Sequence, residues 1–488
     1  MRIRKMLAGG VAAVALVPAA ALAQQAPSAQ SGEEAVQVDE IIVTARKRSE
    51  RLFDVPVAVT AVTAETLEER QLTSVRDVAA ITPGLNINSD AAGRAFISIR
   101  GIGTTLLDTV QPGVGIFVDG VYQANTSYLN SPTLAVEQIE VLRGPQSTLF
   151  GQNTLGGAIN VTTKRPSDVV EGQVTGTYAG PDNYYIAAGT IAGPVVEGVV
   201  TGRLSVGVQS RDGFLRNKTL NTDAANPLEQ TSVRGALLFD LPGAAELTVN
   251  AYSDRVEGTA PLYALTTGPK AYTDEIQTNL PSRATYDYTG LNGKLETPIS
   301  DSTDLTVVLA YDKRESDLLS DGDFQPIPLF VSASQGDLET KTAEARFDTR
   351  WSDTLSTLVG VFTSEQTTEA RNRTTIVPLG VTVPATATSD ADLWAVFGTA
   401  FWDLAPDLEL QLGLRFDHQE IAFRSSVNSD YSADEWQPRV ALTKTWSEDL
   451  MTYASIARGF RGGGTNGPGA PNPTFKGDSV WTYELGTK

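Results

Sequence analysis

Residues 408–417 alternate apolar and polar without a break. Leu408, Leu410, Leu412, Leu414 and Phe416 fall on one side, and Glu409, Gln411, Arg415 and Asp417 on the other. A period of two puts each set on its own face of an extended chain, so this stretch predicts a β-strand with one apolar face. Leu291, Gly293 and Leu295, and then Leu305, Val307, Leu309 and Tyr311, repeat the pattern more loosely. From about residue 172 onward, short and long connections take turns. Short turns are expected near Gly193-Pro194, Pro242-Gly243, Ser300-Asp301, Ser352-Asp353, Ala405-Pro406 and Ser447-Glu448. Long polar connections are expected at about 213–229, 258–285, 317–337, 370–389 and 461–477, with a shorter one near 424–432. The count is about 14 strands, with every short turn on one rim. A soluble sandwich also alternates, but short turns on one rim and long loops on the other mark a transmembrane β-barrel. Trp351, Trp394, Trp402, Trp446 and Trp481 lie near strand ends, where they suit either interfacial girdles or cross-strand packing.

The pattern ahead of residue 172 is different. Val55–Val62 is a β-branched run that suits a strand. Thr63 precedes Ala64-Glu65-Thr66-Leu67-Glu68 as a helix cap, and Ser74 with Asp77 has the spacing of a second capped helix, stopped by Thr82-Pro83-Gly84. Further on, a strand at Ile139–Leu142 runs into Arg143-Gly144-Pro145, then a Gly-rich turn, then a second strand at Ala158–Thr163. Glycines there allow backbone to pass close to backbone. Residues 50–170 therefore read as a small α/β domain.

The N-terminus has the plan of an export signal. Arg2, Arg4 and Lys5 are followed by an apolar stretch from Leu7 to Leu22, and Ala21-Leu22-Ala23 fits a cleavage site before Gln24. Residues 24–38 are polar and without period, as in a linker. Then come Asp39-Glu40-Ile41-Ile42-Val43-Thr44-Ala45, a β-branched run beside Arg46-Lys47-Arg48. Such a peptide can add itself to the edge of a partner's sheet, or it can be the first strand of the following domain.

Composition narrows the function classes. The chain has 488 residues, a net charge of −20, no Cys and one His, His418. Without Cys there are no disulfides and no thiolate sites. The acidic balance argues against a nucleic-acid partner, which needs cationic patches. No P-loop, HExxH motif or metal-ligand spacing occurs, and Gly101-Ile102-Gly103 is only half of a dinucleotide fingerprint. No enzyme activity, metal or cofactor is expected.

Residues 136–166, VEQIEVLRGPQSTLFGQNTLGGAINVTTKRP, closely resemble the end of the plug domain of TonB-dependent outer-membrane receptors. Phe96-Ile97-Ser98-Ile99-Arg100-Gly101-Ile102-Gly103 and Gly113-Val114-Gly115-Ile116-Phe117-Val118-Asp119-Gly120-Val121-Tyr122 resemble earlier parts of the same domain. The resemblance implies a mainly β protein, with an α/β plug followed by an antiparallel transmembrane barrel. Its expected layout is a signal peptide at 1–23, a flexible segment at 24–49, a plug at 50–170 and barrel strands from 171 to 488. Barrels of the family have 22 strands and usually end in an aromatic residue. About 14 strands ending at Lys488 are therefore expected to be an incomplete barrel.

The same resemblance assigns candidate sites. Residues 39–45 resemble the TonB box, which engages TonB in the periplasm by strand addition. Arg100 and Arg143 resemble plug arginines that pair with barrel glutamates, one of them in a Tyr-Glu-x-Gly strand matched by Tyr483-Glu484-Leu485-Gly486. Gly101, Gly144, Gly156 and Gly157 are the expected plug turns. The implied function is energised uptake of a scarce nutrient across the outer membrane of a Gram-negative bacterium, with a ferric siderophore first. Oligosaccharide, cobalamin and aromatic compounds are alternatives within the fold, and a passive or non-functional outer-membrane fragment is a further one. The implied partners are TonB, a small chelate and membrane lipid.

Overall fold

The apolar runs of the first part of the chain build one small layered domain, and the alternating runs build a second, much larger sheet around it. A computed structural model describes residues 40–92, 94–103, 111–124, 134–264, 266, 268, 273–466 and 470–488. The expected signal peptide, the linker at 24–38 and Asp39 lie outside the described residues.

The first domain contains strands β1 (Ile42–Val43), β2 (Glu50–Arg51) and β3 (Ala58–Thr63), then helix α1 (Ala64–Glu69). Strands β4 (Leu85–Ala91), β5 (Arg94–Ile99), β6 (Ile102–Gly103), β7 (Val114–Val118), β8 (Val121–Tyr122) and β9 (Val136–Arg143) follow, then helix α2 (Ser147–Phe150) and β10 (Gly157–Thr163). The central sheet has the order β3-β9-β10-β7-β8. Its middle strands are almost wholly apolar, because both faces are covered. Ile99, Val114, Ile139, Val141, Ile159 and Val161 are all fully buried in one core. Burying each such side chain is worth about 1.5–3 kcal/mol, and Ile139→Ala at the sheet centre is the kind of change that costs about 2–5 kcal/mol. Thr63 caps α1 by accepting the Thr66 N–H. The helix expected after Ser74 is a 3-10 turn, Val75–Ala80. Asp77 secures it by accepting the N–H groups of Thr73 and Ser74 at 3.0 and 2.9 Å.

The second part begins with β11 (Glu171–Ala179), β12 (Tyr184–Val196) and β13 (Val200–Arg211). After a short loop strand β14 (Arg216–Asn217) come β15 (Leu228–Leu241) and β16 (Ala245–Gly258), and after a second loop strand β17 (Glu275–Ile276) come β18 (Arg283–Ser300), β19 (Thr303–Asp321) and β20 (Phe330–Ser352). The rest are β21 (Leu355–Ile376), β22 (Val381–Ala405), β23 (Leu408–Arg424), β24 (Ser429–Ser447), β25 (Leu450–Arg461), loop strands β26 (Gly464–Thr465) and β27 (Thr474–Phe475), and β28 (Asp478–Thr487). Fourteen of these pair in one antiparallel meander running from β11 to β28. Among the described residues β11 and β28 are its two edges and are not paired with each other.

Alternation along β23 sorts side chains as the sequence pattern requires. Leu412 and Leu414 are exposed on the outer face, while Gln411, Arg415 and Asp417 are buried on the inner one. There the Arg415 guanidinium makes a two-pronged pair with Asp417, at 2.8 and 2.9 Å. Val359, Val361, Val440 and Leu442 continue the apolar outer face onto neighbouring strands, which suits lipid. All five expected tryptophans are exposed. Trp351 and Trp446 donate to Thr357 and Thr452 near the short-turn rim, and the rings of Trp394, Phe416 and Trp436 pack in a tilted row further along. No described helix is long and apolar enough to cross a membrane.

The polar inner face receives the small domain, which acts as a plug. Hydrogen bonds join it to the sheet from the first strand to the last: Gln173 to Glu68, Thr73 with Tyr184, Arg165 to Glu246, Thr148 to the Gln437 carbonyl and Arg100 to Glu484. Residues Ile41–Lys488 accordingly form one compact unit.

Three expected connections are corrected. Gly193-Pro194 lies inside β12, and the turn comes at 197–199. The long loops expected at 317–337 and 370–389 are mostly strand, leaving only 322–329 and 377–380 outside. Strands β20, β21 and β22 have 23, 22 and 25 residues, against about 9–11 needed to cross a membrane. Beyond the membrane both faces meet water, so the strands continue without an apolar face to betray them.

Candidate functional site

The stretch proposed as a free peptide is folded. Ile42 and Val43 pair with Arg51 and Glu50, and Val43 and Ala45 are buried against Phe117, Leu142 and Ala158. The Glu140 carboxylate on β9 accepts the Thr44 N–H at 2.7 Å and the Thr44 hydroxyl at 3.0 Å. Asn160 on β10 donates to the same hydroxyl, and Gln138 donates to the Ile42 carbonyl. The expectation of a flexible segment up to residue 49 is thus corrected for residues 41–49. The β-branched side chains that favour extension are also apolar, and the plug surface buries every second one. Burial raises the Glu140 pKa above its ordinary value, against the pull of the Thr44, Asn160 and Gln138 hydrogen bonds.

Directly after it, Arg46, Lys47 and Arg48 each find a carboxylate on the surrounding wall. Arg46 reaches Glu409 at 2.6 Å, as well as Glu50. Lys47 meets Glu344 at 2.5 Å. Arg48 pairs with Asp348 and lies over the Phe401 ring. Burial works against the Arg46 cation, but Glu50 and Glu409 hold its pKa above the ordinary value. For Lys47 burial wins over Glu344 and lowers the ammonium to about 8, with Arg346 and Arg415 adding to the shift. Sequence reasoning noted these three cations only as neighbours of the peptide. The available signal was three consecutive cations in a chain of net charge −20; their partners lie some 300 residues away or more.

Arg100 and Glu484 are brought together, with 2.9 Å between Nη1 and Oε2. Arg100 sits at φ 52°, and Gly101 follows at φ 83°. The turn that ends β5 aims its side chain at β28. The other oxygen of Glu484 accepts the Tyr453 hydroxyl at 2.6 Å, a partner that sequence reasoning missed. Arg143 is not brought to this carboxylate. Its Nη1 donates to the Pro83 carbonyl at 3.4 Å, so of the two expected arginines it is Arg100 that meets Glu484. Both oxygens of Glu484 are already engaged.

The four expected plug-turn glycines differ in what holds them. Gly157 has φ 148°, and a Cβ there would stand 2.1 Å from the Leu142 carbonyl oxygen. Gly144 has φ 94° and lies beside the Arg100–Glu484 pair. Gly101 is open to space, and Gly156 packs closely on Ile102. His418 lies on the outer face, its ring nitrogens 2.6 Å from Asp434 and 3.2 Å from Glu420. Among the described residues no group of His, Cys, Asp and Glu is placed to hold a metal ion.

A small folded domain thus lies against a polar sheet face, with residues 41–48 tied to both. Comparison with known proteins gives the same picture. Residues 51–158 match the TonB-dependent receptor plug domain, and residues 150–488 match the TonB-dependent receptor-like β-barrel. The pesticin receptor of Yersinia pestis is 26% identical over 97% of this chain, which spans 70% of that protein. The ferrioxamine B receptor of Salmonella typhimurium is 32% identical over 33% of this chain and 24% of its own length. Among solved structures, the ferric yersiniabactin uptake receptor FyuA of Yersinia pestis superposes with a TM-score of 0.78 at 22% identity, covering 88% of this chain and 69% of that one. The ferripyoverdine receptor of Pseudomonas aeruginosa gives 0.75 at 18%, covering 91% and 62%. With both family models matched in order along the chain, it belongs to the TonB-dependent receptors.

Proposed function

We propose that this protein is an outer-membrane receptor that takes up an iron chelate, driven by force that TonB applies to residues 39–45. On this reading residues 50–170 are the plug and 171–488 are barrel. The observation that carries it is the placement of residues 41–48 at the short-turn rim, held to the plug by Glu140 and to the wall by Glu344, Asp348 and Glu409. A pull there acts on plug and wall at once, and no nucleotide site is needed. The rim of short turns is the periplasmic one in such barrels, so the segment is on TonB's side.

The names of the relatives favour an iron chelate over an oligosaccharide, cobalamin or an aromatic compound. Siderophores bring their own iron ligands, so a Cys-free wall suffices. Haem is less favoured, because haem often takes His ligation and the one His of this sequence, His418, is engaged by Asp434 and Glu420.

The test is uptake of radioactive iron by iron-starved cells expressing the chain, offered on catecholate, phenolate and hydroxamate chelators. Accumulation of one class, abolished by a protonophore, is the expected result. No energy-dependent accumulation of any class overturns the proposal.

A further inference from the structure

Between the plug and strands β16 and β18–β21 lies a cavity of about 850 Å3. Ligand-holding cavities run to roughly 300–1,000 Å3, so this one is large enough for a chelate. It reaches the short-turn rim at Ala244, Asp301 and Ser302, and residues 47–50 line it from the plug side. Carboxylates and cations line it in equal number. A polar, charge-balanced wall has no strong hold on a solute of either sign, which suits passage better than storage.

A second, small cavity of about 20 Å3 lies along the same strands, further from that rim. It is lined by Tyr252 on β16, Tyr288 on β18, Asp312 on β19 and Thr340 on β20. On β16 Asn250, in the large cavity, and Tyr252, in the small one, are two positions apart. That is ~7 Å of strand. On the plug side, Gly120 borders the large cavity and Gln123 the small one, so β8 is the partition between them. β8 is also the shortest strand of the central sheet, an edge strand of two residues paired to Phe117 and Val118 of β7, with the Gln123 N–H donating to the Ile116 carbonyl beside it.

We infer that the large cavity is the exit half of the transport path, and that β8 with Gln123 is the partition that swings aside to let the ferric chelate into it. The inference rests on the uptake function proposed above. Residues 47–50, the part of the plug nearest to the pulled segment, form part of the cavity's own lining, so force on residues 41–45 is delivered where the path must open.

The chain has no Cys, so introduced thiols are unique. In Gln123→Cys/Thr340→Cys, a reducible bis-maleimide can tie the partition to β20. In Thr306→Cys, a fluorescein maleimide places a bulky group inside the large cavity. The probe is radioactive iron on the chelator class that the unmodified chain takes up. Either modification should lower uptake at least tenfold while iron-chelate binding to the cell surface stays unchanged. Reductant should restore uptake in the tied variant. Unchanged uptake after complete modification at both sites overturns the inference. If the unmodified chain accumulates none of the chelates, the functional reading itself fails and this inference with it; the unlabelled controls tell the two failures apart.

Discussion

The ammonium of Lys47 and the carboxylate of Glu344 meet at 2.5 Å, each side chain 9% exposed, and tie the start of the plug to the middle of β20. Glu344 also accepts from Arg346 at 2.9 Å. Removing one member of a buried pair strands the other's charge and costs about 3–5 kcal/mol. Glu344→Ala should therefore loosen residues 46–48 and speed tryptic cleavage there. Lys47→Met combined with Glu344→Leu should restore most of the protection. Equal cleavage rates in wild type and Glu344→Ala would show that the pair holds nothing.

A second prediction concerns pH. Glu140 has its pKa raised in the folded plug by burial. A raised carboxyl contributes stability that is fully present below the unfolded value, 4.5, and is lost as pH rises through the folded one. The plug should thus unfold more readily as pH climbs above 4.5. Its denaturant midpoint as a function of pH reads this directly. Glu140→Gln should flatten the pH dependence, and an unaltered slope in that variant refutes the assignment.

The link between Arg100 and Glu484 is partly open to solvent, with Arg100 41% exposed. Its coupling is therefore that of a surface pair, about 1 kcal/mol or less. A double-mutant cycle on Arg100→Ala and Glu484→Ala should give a small favourable coupling, whereas the cycle with Arg143→Ala should be additive. Coupling of Glu484 to Arg143 alone would mean that the wrong arginine has been paired.

Gly157 tests the plug's backbone. A Cβ 2.1 Å from the Leu142 carbonyl oxygen cannot be accommodated without shifting β9 against β10. Gly157→Val should abolish protease resistance of the plug, and Gly144→Val, with its positive φ but more room, should do less damage. Undiminished resistance in both variants contradicts this account of the turns.

The sequence made the barrel strands legible where lipid faces one side and water the other, as along β23. It lost them where β20–β22 run on beyond the membrane, because the alternation that marks a strand comes from unequal surroundings. Thr63 and Asp77 announced their caps by local spacing. Residues 41–45 showed their extended preference but not their seat, since Glu140 and Asn160 are about a hundred residues away. A still longer separation, some 300 residues or more, hid the wall carboxylates of Arg46, Lys47 and Arg48. The pairing of Arg100 with Glu484 was accessible only through the family resemblance, and that resemblance offered Arg143 equally.

The central claim is that TonB pulls on residues 39–45 by adding a strand. Ile42→Pro removes a backbone donor that such pairing needs, but it also disturbs β1. Arg51→Pro is the control. It acts on the other side of the β1–β2 pair, at a φ of −64° that proline accepts, and leaves the peptide intact. Energised uptake of radioactive ferric chelate should vanish in Ile42→Pro with surface binding retained, and persist in Arg51→Pro. Undiminished uptake in Ile42→Pro would contradict the account.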